Sequence, residues 1–61
     1  MLVRKEYNTD GTWMHMYYRN GAYLCELYGR DETGAQEVRE TMRHHSRKPA
    51  NDWMDAKTKR P

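Results

Sequence analysis

Apolar and polar residues alternate with a period of two on both sides of Asn20-Gly21, from Trp13 to Arg19 (WMHMYYR) and from Ala22 to Tyr28 (AYLCELY). Alternation marks half-buried strands. An Asn-Gly pair between two such runs signals a hairpin, because both residues tolerate the positive φ that a type I′ turn needs at its two centres. A two-residue loop sets paired residue numbers to sum to forty-one. Met14, Met16, Tyr18, Tyr23, Cys25 and Leu27 then share a purely apolar face, which predicts a core. Trp13, His15, Tyr17, Arg19, Leu24, Glu26 and Tyr28 fall on the opposite face, toward solvent or a partner.

Upstream, Leu2 to Tyr7 (LVRKEY) alternates partly and is followed by Asn8-Thr9-Asp10-Gly11, which is turn chemistry, so it reads as a first strand. The loop length places Val3, Lys5 and Tyr7 on the core side, with the Lys5 ammonium reaching water at the sheet edge. After Gly29 the period changes. Thr33-Gly34-Ala35-Gln36 has the form of a capping box, and Ala35, Val38, Met42 and His45 follow helical spacing, predicting a helix from about Gly34 to Arg47 that packs on the sheet. Pro49 is expected to end it, because the residue before a proline avoids helical geometry. The expected fold class is α+β, a three-stranded antiparallel meander packed by one C-terminal α-helix. Residues 1–48 form this domain. Residues 49–61 (PANDWMDAKTKRP) form a short basic tail, in which Asn51 caps a short helical turn that docks Trp53 and the chain from about Lys57 onward is mobile.

A 61-residue chain has room for one small core, and such cores leave only about 3–5 kcal/mol of net stability. Cys25 is the only cysteine and cannot form an internal disulfide. It reads as a small buried hydrophobe in a reducing, cytoplasmic setting, and no signal-peptide pattern or membrane-spanning apolar run accompanies it. The initial methionine suggests a complete gene product. Net charge is +2, unevenly spread: residues 1–42 carry −2 and residues 43–61 carry +4. A polyanion is therefore expected to meet the end of the chain, through Arg43, Arg47, Lys48, Lys57, Lys59 and Arg60.

Few residues suggest reaction chemistry. His44-His45 are neighbours that point about 100° apart on a helix and cannot share a metal ion without further ligands. His15 opposite Glu26 lacks a pocket and an electrophile or nucleophile, Cys25 lies on the other face from His15, and no glycine-rich phosphate loop is present. No cofactor or metal is expected, and no enzymatic activity. What remains is surface. Aromatic residues interleaved with arginine on a sheet suit nucleic acid, the rings meeting bases and the cations phosphates, and they equally suit a protein interface or a simple cross-strand ladder.

Trp13-x-x-x-Tyr17, the tight-turn Gly21, Tyr28-Gly29 and Thr33 leading a helix resemble the small three-strands-plus-helix DNA-binding domain at the N-terminus of phage and transposon tyrosine integrases, over about Thr12 to Met42. That resemblance implies contact of the outer sheet residues Trp13, Tyr17 and Arg19 with DNA. The expected function is a small non-enzymatic nucleic-acid-binding accessory protein, of phage or other mobile-element origin given its size and stand-alone form. The alternative is a protein-binding module or inhibitor of a host protein, acting through the aromatic sheet face or an edge strand. No membrane partner is expected, and so small a core favours a homodimer.

Overall fold

The computed structural model describes residues 1–61. Five elements follow one another: β1 (Leu2–Tyr7), β2 (Trp13–Arg19), β3 (Ala22–Arg30), β4 (Gln36–His44) and α1 (Arg47–Lys57). The strands form one antiparallel sheet in the order β1-β2-β3-β4, with α1 on one of its faces. The class is the expected α+β, with four strands rather than three. No helix is long and apolar enough to cross a membrane.

The central hairpin has the register set by Asn20-Gly21: Trp13 pairs with Tyr28, Met16 with Cys25 and Tyr18 with Tyr23. Asn20 and Gly21 take φ of 52° and 75°, the left-handed values that a type I′ turn requires. Met14, Met16 and Cys25 are fully buried and meet Ala50 and Met54 of α1, with Val3, Tyr23, Leu27, Met42 and Trp53 packed around them. Tyr18 departs from the expected core. It lies at the turn end of the hairpin, 39% exposed, with its ring against Tyr23.

The helix expected from Gly34 to Arg47 is not formed; β4 occupies those residues and pairs with β3. The Thr33 hydroxyl, read as a helix cap, instead donates to Asp31 Oδ1 at 2.6 Å, and the same oxygen accepts the N–H groups of Thr33 and Ala35. Gly34 at φ +86° completes a hairpin turn. The β1–β2 loop uses the same device, with Asp10 Oδ1 accepting the N–H and hydroxyl of Thr12. Val38, expected to face the core, is consequently half exposed on the outer face beside Tyr28. Met42 does pack against the core.

Pro49 starts a helix instead of ending one. It is the third residue of α1, among the four N-terminal positions whose N–H groups have no intrahelical partner, so its missing donor costs nothing. Residues 49–61, expected as a tail, therefore supply most of the element that roofs the core. Beyond α1 the chain does not drift free. Lys59 N–H donates to Asn8 Oδ1 (2.9 Å) and Thr9 N–H to Lys59 O (3.1 Å), tying a C-terminal strap to the β1–β2 loop.

The β1–β2 register also reverses one assignment. Lys5 pairs with His15 and Tyr7 with Trp13, so both lie on the outer face, while Arg4 and Glu6 oppose Met16 and Met14 on the helix side. An extra residue, Val3, is accommodated between Leu2 and Arg4, and Arg39 plays the same part in β4. Both edge strands thus carry a bulge. Bulges twist an edge away from flat strand addition.

Candidate nucleic-acid interface

The face of the sheet opposite α1 has no covering element, and its centre is aromatic. Trp13 stacks on Tyr28 across the β2–β3 pair, ring centres 5.8 Å apart and planes within 10°. His15 packs against both Tyr28 and Tyr17, and its Nδ1 shares a 3.0 Å hydrogen bond with the Tyr17 hydroxyl. The Tyr28 hydroxyl donates to Glu26 Oε1 at 2.7 Å. Burial, followed by the adjacent Glu26 carboxylate, pushes the Tyr28 phenol well above the ordinary tyrosine range. Burial also lowers the His15 pKa, aided by Lys5 and opposed by Glu26, which favours the neutral ring. Tyr28 is only 8% exposed although no element covers this face, because its neighbours close over it. Trp13 and Tyr17 remain partly open to solvent.

Cations surround this cluster. The Arg30 guanidinium lies over the Trp13 ring at 5.2 Å, and the Lys5 ammonium lies 5.6 Å from the Tyr7 ring. Arg43 sits opposite Leu24, and Arg19 opposite Ala22, both at outward-facing positions. None of these four cations has a carboxylate within ion-pair distance. The one acid on the face is Glu26, held by Tyr28.

The helix side is the opposite case. Arg4 reaches Glu6 and Asp55, Arg39 reaches Glu37, Lys48 reaches Asp52, Lys57 reaches Glu40, Lys59 reaches Asp10 and Arg60 reaches Glu6. Every ion pair in the molecule thus lies off the open face, and the only other unpaired cation is Arg47 at the start of α1. Apart from the largely buried Arg4–Glu6 pair, these pairs have at least one exposed partner and contribute little to stability. Their effect here is on charge placement.

The six cations singled out in the sequence are therefore not one surface. Lys48, Lys57, Lys59 and Arg60 are paired with carboxylates of the body and helix, and only Arg43 and Arg47 stand free. Of the sheet residues, Trp13, Tyr17 and Arg19 do share one face, as the alternation required. Lys5 and Arg30 join this face unannounced by the sequence pattern: Lys5 because a bulge at Val3 and the loop set the β1 register, Arg30 because β3 continues past Gly29. A cleft of about 370 Å³ between the β1–β2 loop, β4 and α1 is lined by Asp10, Arg39, Glu40, Lys57 and Lys59, whose charges are already matched in pairs.

The remaining candidates for chemistry are occupied otherwise. His44 and His45 stack on each other at 4.5 Å, and His44 Nδ1 accepts the Ser46 N–H. No three His, Cys, Asp or Glu side chains converge where a metal ion could be held. Cys25 is fully enclosed, its thiol pushed up by burial and directed at Ala50 O, so it behaves as packing. Compared with models of protein families, with curated proteins and with solved structures, the chain has no match.

Proposed function

We propose that the protein is a non-enzymatic nucleic-acid-binding accessory protein and that the contact is the open face of the sheet. The observation that carries this reading is the sorting of charge: the unpaired cations Lys5, Arg19, Arg30 and Arg43 ring an aromatic surface, while the cations of the helix side, Arg47 excepted, are paired with carboxylates. Cations free of carboxylates can release condensed counterions from a phosphate backbone, and exposed rings offer stacking platforms that any base can use. Arg43 keeps its place in the contact; Arg47, in α1, does not, and Lys48, Lys57, Lys59 and Arg60 are paired with carboxylates away from the open face.

The test compares two sets of variants by fluorescence anisotropy with labelled oligonucleotides at several salt concentrations. Arg19→Ala and Arg43→Ala should each weaken binding and flatten the dependence of log K on log salt by about 0.7–0.9. Lys59→Ala and Arg60→Ala should leave that slope unchanged. The reverse pattern would return the contact to the C-terminal segment. Absence of binding at low salt would favour a second reading, a protein partner on the same face, which the exposed Leu2, Tyr7 and Val38 at its margins support.

A further inference from the structure

Resting on the reading of the open face as a nucleic-acid contact, we infer that its ligand is single-stranded, about three or four unstacked nucleotides at a time, and not duplex. The width of the sheet carries the inference. Four adjacent strands at about 4.8 Å spacing place the edge strands about 14 Å apart before side chains are added. A B-form major groove is about 12 Å wide and admits a helix or a two-stranded ribbon. With β4 in place of a helix, the sheet is too broad to enter it.

A single strand meets no such limit. Along β2 the outward residues run from Trp13 to Arg19, about 20 Å at 3.3 Å per residue, a length suited to a few splayed nucleotides. Tyr17 and Trp13 stand partly open on this line, and Arg19, Arg43, Lys5 and Arg30 are distributed around it rather than in two parallel rows that would match the two backbones of a duplex. Beyond the face, the β3–β4 loop turns acidic with Asp31 and Glu32, neither of them ion-paired. A second backbone lying past the edge of the face would meet those carboxylates.

The experiment measures binding of the full chain to labelled oligothymidylates of four, eight and twelve nucleotides and to a mixed-sequence twelve-base-pair duplex at low salt. Single strands should bind at least tenfold more tightly than the duplex, with a salt slope near −2.8, about −0.7 for each of four cations. Tyr17→Ala should weaken single-strand binding by about fivefold or more, and because Arg19→Ala alters an exposed side chain at the turn end of the hairpin, it tests the same contact without touching the aromatic cluster. Duplex binding equal to or tighter than single-strand binding overturns this inference and leaves the nucleic-acid reading standing. Binding to neither overturns both.

Discussion

Asn8 offers the sharpest test of how the two ends of the chain are joined. Read as one residue of an exposed turn, it should tolerate alanine with a change within about 0.5 kcal/mol. In the structure it is only 9% exposed, its amide donates to Thr12 Oγ1 (2.9 Å) and to Lys57 O (3.2 Å), and its carbonyl accepts the Lys59 N–H (2.9 Å). Three bonds at about 1 kcal/mol each give Asn8→Ala a cost of about 2–3 kcal/mol, a large share of the about 3–5 kcal/mol that a core of this size supplies. At about 4–8 °C per kcal/mol for small domains, the thermal midpoint should fall by about 10–20 °C, followed by far-UV circular dichroism. A chain cut after Thr58 lacks the Lys59 donor, so Asn8→Ala should cost about 1 kcal/mol less in that background. A midpoint shift below about 3 °C, or identical costs in both backgrounds, would refute the bridging role.

Two substitutions separate the observed sheet from a helical reading of residues 34–47. Met54→Ala should remove about 2–5 kcal/mol by opening a cavity under the sheet, enough to leave the chain largely unfolded at 37 °C in a denaturation experiment. Val38→Asp should leave it folded, with a loss under about 1 kcal/mol, because that side chain is half exposed on an edge strand; loss of the circular dichroism spectrum would contradict the placement. The third concerns pH. His15 has its pKa lowered from 6.5 by burial and by Lys5, so the folded state binds its proton less readily than the unfolded state. The stability from the neutral ring is complete above the unfolded value of 6.5 and declines as pH falls through the lowered folded value. His15→Gln should flatten the decline seen in urea titrations below pH 6.5, and the His15 ring signals should titrate later on acidification than those of a free histidine.

The central hairpin is legible because two local signals agree, a wholly apolar set at every second position and the Asn-Gly turn, and its register then needs no tertiary information. β4 was hidden for a physical reason: every residue from Gln36 to Thr41 is exposed, so this edge strand has no buried face to imprint a period of two. Its apolar positions happen to repeat at helical spacing, and pairing with β3 overrides that weak preference. Asp31-x-Thr33-Gly34 repeats the Asp-x-Thr turn element of Asp10-Gly11-Thr12, a sign that could have placed a second hairpin there. Pro49 is ambiguous in sequence, because a proline within the first turn begins a helix as readily as one beyond the last turn ends it. The basic run at the end of the chain misled in another way. Grouping charges by sequence position cannot show that Lys59 faces Asp10 and Arg60 faces Glu6.

Because the ion pairs all lie on the helix side, the molecule has an electrical front and back despite a net charge of only +2. A polyanion at a distance of a Debye length, about 10 Å at 0.1 M salt, experiences the neutralised back weakly and the four free cations strongly. On the proposed reading, the torque this exerts would turn the protein during approach, so that first encounters with a polyanion should occur sheet-first more often than random tumbling allows. The consequence is kinetic: neutralising Arg19 or Arg43 should slow association more than it speeds release, and added salt should erase the difference between the variants and the parent chain.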